Sequence, residues 1–262
     1  MWILLSSRLI ACFDIKDRRV TKALKFENNV DIGDPAELAG RLYEDGVDEF
    51  VFYDILASAE RRGPDLETVK RVASAIYVPF TVGGGIRSVQ DMHAMLAAGA
   101  EKVSIDSMAV RSPSLIELGA KEFGTQCIVL SMQVIFRGIS PTFPSGYEIA
   151  IDGARVFTGI DAVEWAKRAE SLGAGEIVVN SIDNDGTGEG YDINITAKIT
   201  QAVRLPVIAS GGAGKSSHVA EVFCAGATGA IISSLLYGTR YPRISVGELK
   251  SYLASRGLNV RI

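Results

Sequence analysis

The sequence predicts an α/β fold: a (β/α)8 TIM barrel built from two fused half-barrels. Its 262 residues suit one such barrel, so we expect residues 1–262 to form a single domain. Eight apolar runs of strand length alternate with amphipathic segments along the chain, and the second half repeats part of the first. Eight parallel strands are the number that closes this kind of barrel.

The eight strand-like runs are rich in β-branched residues, and amphipathic segments with helical periodicity lie between them. The runs are LIACFDI, EFVFYDI, PFTVGG, KVSID, CIVLSM, EIVVNSI, PVIASGG and AIISSL. Two connections, residues 17–34 and 134–158, are unusually long. Long connections in a compact domain are often functional, so we predict that both are loops that act as lids over the active site.

An internal repeat supports the fusion of two half-barrels. The segment TVGGGIRSVQDMHAMLAAGAEKVSIDS aligns with IASGGAGKSSHVAEVFCAGATGAIISS at one constant offset of 127 residues, the difference between positions 84 and 211. This alignment matches Gly84 with Gly211 and Ser107 with Ser234. Each half alone would leave an open sheet with exposed edges, so the two halves need each other.

Composition excludes several classes of function. Hydrophobic residues make up 47% and charged residues 22% of the chain, and the net charge is -4. This balance offers no basic field for nucleic acid or for an anionic membrane surface, so a phosphate must be held locally. No run is long enough to span a membrane, and the N-terminus lacks the pattern of a signal peptide. We expect a soluble, cytoplasmic protein.

The cysteines are three in number and widely spaced. Cys12, Cys127 and Cys224 lie in apolar runs, which indicates reduced core residues rather than disulfides or metal ligands. We therefore expect neither a metal nor any other cofactor.

Glycine clusters follow the third and seventh predicted strands. Gly84 and Gly85 stand in the first cluster, and Gly211 and Gly212 in the second. Glycines at a strand end let backbone N–H groups approach an anion, although tight turns need glycine as well. Repetition at matched positions favours phosphate binding, because the loops after strands seven and eight commonly hold phosphate in such barrels. Two matched sites predict a substrate with two phosphates, with Ser107 and Ser234 as added hydroxyl donors.

Carboxylates follow the first, second and sixth predicted strands, where a barrel brings them to one mouth. There a carboxylate can act as a general acid or base, but Asp also caps turns and helices at strand ends. We favour a catalytic role for Asp14, which precedes Lys22 in a predicted lid, and a structural role for Asp54 and Asp183.

Four charged residues stand near the starts of strands, at the opposite end of the barrel. Charges so close to a core are costly unless paired, so they predict a ring that stabilises the barrel bottom. The four residues are Arg8, Glu49, Lys102 and Glu176.

With these motifs in place, the chain resembles the cyclase subunits of imidazole glycerol phosphate synthase, in the HisA/HisF family of histidine biosynthesis. The resemblance covers nearly the whole chain through FDIKD, FEN, IGDP, FTVGGGI, EKVSI, AGEI, NSIDNDGT, IASGGAG and NVRI. It implies a heterodimer with a glutaminase subunit, whose ammonia passes through the barrel. There the ammonia reacts with a bisphosphorylated ribulosyl aminoimidazole carboxamide nucleotide. The products are imidazole glycerol phosphate and aminoimidazole carboxamide ribotide.

The resemblance also assigns roles to individual residues. Asp14 matches the first catalytic aspartate, and Gln133 stands at the position of the second. The charge pattern at the barrel bottom matches a gate for ammonia, made by Arg8, Glu49, Lys102 and Glu176. The residues assigned to substrate and phosphate binding are Lys22, Gly84, Gly85, Ser107, Asp185, Gly186, Gly211, Gly212 and Ser234.

The sequence departs from the family pattern at several positions of the mouth. Gln133 can orient a substrate by hydrogen bonds but cannot exchange a proton near neutral pH. Asp106 stands where asparagine is typical, and Arg18 and Ala23 replace glycines of the lid. The sequence therefore leaves an alternative: a diverged paralogue with weak or no cyclase activity that channels ammonia to another acceptor, such as a surface-polysaccharide sugar.

Overall fold

The computed structural model describes residues 6–24, 27–57, 60, 62–63, 65–238 and 242–262. Within them, eight parallel strands form a closed barrel, because the last pairing joins the sixth of these strands to the fifth. These strands are β1 (Arg8–Lys16), β4 (Glu49–Asp54), β5 (Phe80–Gly83), β6 (Lys102–Ile105), β7 (Ile128–Phe136), β10 (Glu176–Ser181), β11 (Val207–Ser210) and β12 (Gly229–Ile232). The predicted (β/α)8 barrel is confirmed, while residues 1–5 before the first strand lie outside the described residues.

Helices surround the barrel and cover its outer face. Their apolar sides meet the outward-facing residues of the strands in one large buried cluster, which contains Phe13, Phe52 and Trp165. The helices are α1 (Pro35–Glu44), α2 (Leu66–Ala73), α3 (Val89–Ala97), α4 (Ser107–Arg111), α5 (Ser114–Phe123), α6 (Ala162–Ser171), α7 (Ile193–Ala202), α8 (Ser216–Cys224), α9 (Ser234–Tyr237) and α10 (Val246–Ser255), with a 3-10 turn at Thr125–Cys127. None of these helices, all drawn from the described residues, is long and apolar enough to cross a membrane.

The internal repeat extends to the bounds of the elements. Strand β10 begins and ends 127 residues after β4, and the same spacing separates β11 from β5 and β12 from β6. Helices α6 and α8 follow α1 and α3 at that spacing as well. Backbone angles agree, since Gly84 has φ 93° and Gly211 has φ 91°. The predicted half-barrel repeat is therefore confirmed in the geometry of these elements.

Both connections predicted as lid loops contain paired strands, so the prediction of loops was wrong. After β1 the chain forms β2 (Arg19–Leu24) and β3 (Glu27–Gly33), which pair antiparallel with each other. After β7 it forms β8 (Tyr147–Ile151) and β9 (Val156–Asp161). Each hairpin extends a barrel strand past the mouth, which satisfies the backbone hydrogen bonds that a loop would leave to water. Residues 25–26 of the first connection lie outside the described residues.

The cysteines differ in their environment. Cys12 is buried inside the barrel and Cys127 is partly buried, but Cys224 is exposed. The prediction that all three are core residues was therefore wrong for Cys224, which occupies the last turn of α8 with its side chain toward solvent. All three are free thiols.

Candidate active site at the barrel mouth

Alternation along the strands decides which side chains face the barrel interior. Ile10 and Cys12 of β1 pack there against Val51, Val129 and Val178. Because successive side chains of a strand point to opposite faces, Asp14 shares the interior side with Cys12. By the same alternation, Gln133 shares the interior side with Val129. The interior thus has an apolar middle, with polar side chains at its carboxyl end.

Asp14 lies within β1 rather than after the strand, contrary to the position predicted for it. The Nζ atom of Lys22 lies 3.2 Å from Oδ2 of Asp14, so the β2 hairpin places a cation directly on this carboxylate. The negative charge of Asp14 raises the pKa of Lys22, against the opposing effect of burial. Lys22 is therefore fully protonated and places a positive charge against the Asp14 carboxyl group.

Asp185 approaches the same pair from the turn that follows β10. Burial raises the pKa of Asp185, and the negative charge of Asp14 raises it further. The Lys22 cation and a backbone hydrogen bond from Gly186 oppose this rise. The structure thus brings together Asp14, Lys22 and Asp185, three of the residues that the sequence assigned to the site.

Gln133 and Asp106 meet on the far side of the mouth. The Nε2 atom of Gln133 donates to Oδ2 of Asp106 at 2.5 Å. Burial raises the pKa of Asp106 to about 7, although this hydrogen bond opposes the rise. Asp106 was absent from the predicted site residues. The signal was present in the sequence, because the alternation that directs Lys102 and Ser104 of β6 toward the interior continues to Asp106, just after the strand.

Asp54 and Asp183 serve the architecture, as predicted. The carboxylate of Asp54 accepts hydrogen bonds from the backbone N–H groups of Leu56 and Ala57, and it pairs with Arg62 at 2.6 Å. Asp183 accepts a hydrogen bond from the backbone N–H of Phe136 at 2.8 Å. The carboxylate oxygens of both residues therefore stabilise the backbone of neighbouring segments.

The glycine loops pack too closely for any side chain. A Cβ at Gly84 would lie 2.3 Å from the backbone oxygen of Asp54, and one at Gly212 would lie 2.0 Å from that of Gly190. A Cβ at Gly211 would meet the oxygen of Ser181 at 2.9 Å. Loop packing and positive φ angles therefore already require these glycines, whatever the loops bind.

The two predicted serines begin short helices instead of ending strands. Ser107 is the first residue of α4, and Ser234 is the first residue of α9. The Ser107 hydroxyl oxygen accepts a hydrogen bond from the backbone N–H of Asp152 at 2.9 Å, in the turn between β8 and β9. Ser107 thus links the mouth to the second hairpin, and its hydroxyl hydrogen can still be donated.

At the opposite end of the barrel, the four predicted charges form a closed ring, hereafter the charge ring. Arg8 contacts Glu49 at 2.7 Å and Glu176 at 2.5 Å. Lys102 contacts the same two carboxylates at 2.7 Å and 2.8 Å. Both glutamates are buried, and each accepts from both cations. The charge ring is electrically balanced and closes the barrel bottom, as the prediction of a stabilising ring requires.

A few polar groups interrupt the apolar middle of the barrel. Among the residues that the structure describes, neither the Tyr53 hydroxyl nor the Ser104 hydroxyl, both buried, has a hydrogen-bond partner. Burial raises the pKa of Tyr53, so this phenol stays neutral. Both groups lie between the charge ring and the mouth, along the axis of the barrel.

The arrangement defines a class of protein: a (β/α)8-barrel enzyme with ionisable groups at its mouth and a charge ring at its base. The model of the histidine biosynthesis protein family matches residues 8–242. The chain belongs to this family.

Curated relatives match along nearly the whole chain. The protein of Syntrophobacter fumaroxidans is 53% identical over 259 residues, which cover 98% of this chain and 99% of the relative. The protein of Desulfovibrio desulfuricans is 53% identical, with 99% of each chain covered. That of Solidesulfovibrio magneticus is 52% identical, with 98% and 99% covered. Each is named imidazole glycerol phosphate synthase subunit HisF, and nothing in these relatives supports the diverged paralogue.

Proposed function

We propose that the side chains at the barrel mouth carry out the cyclase reaction of imidazole glycerol phosphate synthase. The chain is a cyclase subunit of this lyase of histidine biosynthesis, as its family and the shared name of its relatives indicate. The observation that carries the residue assignment is the placement of Asp14, Lys22 and Asp185 together at the mouth. There Asp14 lies beside the Lys22 cation, and its carboxyl group can exchange a proton with the substrate.

The substrate in this proposal is the bisphosphorylated ribulosyl aminoimidazole carboxamide nucleotide. One phosphate would sit at the loop of Gly84 and Gly85, and the other at the loop of Gly211 and Gly212. The matched φ angles of the two loops support equivalent backbone cradles. Ser107, Ser234, Asp185 and Gly186 complete the proposed contacts with the substrate.

Ammonia would reach the mouth through the barrel. A neutral small molecule has to pass the charge ring, and the contacts of the ring would have to open for it. Beyond the ring, the unpartnered hydroxyls of Tyr53 and Ser104 could each exchange a hydrogen bond with ammonia in the otherwise apolar interior.

The proposed partner is a glutaminase that docks on the face containing the charge ring and forms a heterodimer with the chain. Tyr77 lies on that face, in the connection that leads into β5, and its side chain is 86% exposed. Exposed aromatic residues often dominate the binding energy of an interface. We place the complex in the cytoplasm, since the three free thiols suit a reducing compartment.

Steady-state turnover with ammonium salts and no glutaminase tests this function. We expect the wild-type chain to consume the bisphosphorylated nucleotide. Asp14→Asn should lower kcat by about 10²–10⁴-fold, the typical effect of losing a proton-transfer group. A matched control is Asp31→Asn, because Asp31 pairs with Arg19 on the outside of the hairpin and is far more exposed. Absence of turnover by the wild type would refute the proposal.

A further inference from the structure

The proposed reaction needs a second group that can exchange a proton. Asp14 occupies one wall of the mouth, on β1. In the order of strands around the barrel, β7 stands four strands from β1 in either direction, so Gln133 faces Asp14 across the mouth. An amide at this position has no proton to exchange near neutral pH.

Asp106 is the ionisable group nearest to that position. It follows β6, the strand beside β7, and its carboxyl accepts the hydrogen bond of Gln133. Although Asp106 precedes α4, its side chain makes no capping hydrogen bond to that helix. Asp34, Asp65 and Asp161 all cap the helices that follow them, so the orientation of Asp106 toward Gln133 departs from the usual structural use of this residue type.

The charges around Asp106 favour its neutral form. Burial is the main cause of its raised pKa, and Asp152 adds to it. Arg111 opposes the rise, but it forms an ion pair with Asp152. Tyr53 of β4 interacts electrostatically with Asp106, and burial keeps this phenol neutral. Ser104 and Ser131, which lie beside Tyr53, carry no charge. Asp106 can therefore hold a proton near neutral pH.

We propose that Asp106 is the second proton-transfer residue of the cyclase, held in position by Gln133, and that it acts as the acid opposite Asp14. This inference rests on the proposed function. When the nitrogen of ammonia forms a bond with the ribulosyl carbonyl carbon, the C=O π bond breaks. The oxygen then takes the proton of Asp106, and the surplus proton on nitrogen passes to the Asp14 carboxylate. The product of this step is a neutral carbinolamine.

Exchanging the two side chains tests the assignment. Asp106→Asn should lower kcat by about 10²–10⁴-fold with little change in KM. The double variant Asp106→Asn/Gln133→Asp restores a carboxyl and an amide within the same hydrogen-bonded pair. We expect it to recover at least tenfold in kcat over the single variant. Wild-type kcat should fall as the pH rises above about 7, and the pH profile of Asp106→Asn should lack this decline.

The outcomes separate this inference from the function on which it rests. If the wild type turns over, Asp14→Asn is inactive and Asp106→Asn keeps wild-type kcat, the role of Asp106 is wrong and the function stands. If Asp106→Asn loses activity but its kcat still declines at high pH, Asp106 is a positioning residue and the inference again fails. If the wild type does not turn over, the function fails and the role of Asp106 fails with it. An infrared carboxyl band that titrates near pH 7 in the wild type and is missing in folded Asp106→Asn supports the inference independently of turnover.

Discussion

Among individual residues, the charge ring shows how a barrel can hold charges against its core. Each glutamate of the ring accepts from both Arg8 and Lys102, with one carboxylate oxygen facing each cation. The side chains of the two cations keep some contact with solvent: Arg8 is 21% exposed and Lys102 is 18% exposed. Removing one carboxylate would leave two cations with half of their compensation.

Glu49→Gln should therefore lower the free energy of unfolding by about 3 kcal/mol, since breaking a buried ion pair leaves charge uncompensated. Chemical denaturation measures this difference. Glu164→Gln is the matched control, because its pair with Lys167 is exposed on α6 and should contribute less than about 1 kcal/mol. Equal effects of the two substitutions would contradict the energetic importance of the charge ring.

The raised pKa of Asp106 also affects stability. A carboxyl whose pKa is higher in the folded than in the unfolded protein is destabilising once the pH exceeds its unfolded value, here 3.8. The contribution of Asp106 to the free energy of unfolding should fall as the pH rises from about 4 to about 7. Asp106→Asn should therefore be more stable than the wild type at pH 8, by on the order of 4 kcal/mol, and about equal to it near pH 4. Thermal unfolding across this pH range checks the prediction, and a pH-independent difference would contradict it.

At the scale of elements, sequence periodicity predicts the barrel strands and the repeat well, because both depend on local patterns. The spacing of 127 residues holds for strands and for helix bounds. The two hairpins were predicted as loops, because their strands lie partly outside the apolar core and show weak hydrophobic alternation. Most side chains of β9 are exposed or only partly buried.

The contact between Asp106 and Gln133 shows where sequence reasoning ends. Asp106 and Gln133 were each identified as a departure from the family pattern, but a contact between them was not predicted. They stand 27 residues apart and meet because β6 and β7 are neighbours. Alternation predicts that both face the interior, whereas the distance between their side chains depends on the register of the strands and on rotamers, which no local pattern determines.

The glycine loops give a prediction at the scale of elements. Gly84→Ala should lower the free energy of unfolding by about 2 kcal/mol or more, because φ is 93° and the new Cβ would meet the Asp54 backbone oxygen. Gly40→Ala in α1 is the control. Its Cβ meets open space, so alanine should stabilise the helix by about 0.5–1 kcal/mol. Opposite signs are expected in denaturant titrations, and a neutral Gly84→Ala would show that the loop can relax.

For the whole molecule, the charge ring and the mouth lie at opposite ends of one interior, which suits a barrel that receives ammonia at its base. The partner surface should then depend on residues around the base. Tyr77→Ala should weaken binding of the glutaminase by about tenfold or more, as expected for an exposed aromatic anchor. Turnover with ammonium salts should be unchanged. Leu118→Ala, on the outer side of α5, is the control and should bind normally.

The most direct test of the proposed cyclase reaction traces the nitrogen atom of ammonia into the product. With ¹⁵N-labelled ammonium and the bisphosphorylated nucleotide, the chain should release one equivalent each of imidazole glycerol phosphate and aminoimidazole carboxamide ribotide. The ¹⁵N label should appear in the imidazole ring of the glycerol phosphate product, detected by NMR, and not in the ribotide. Tight binding of the nucleotide without any labelled imidazole would contradict the cyclase reaction. It would indicate instead a phosphate-binding barrel that passes ammonia to another acceptor.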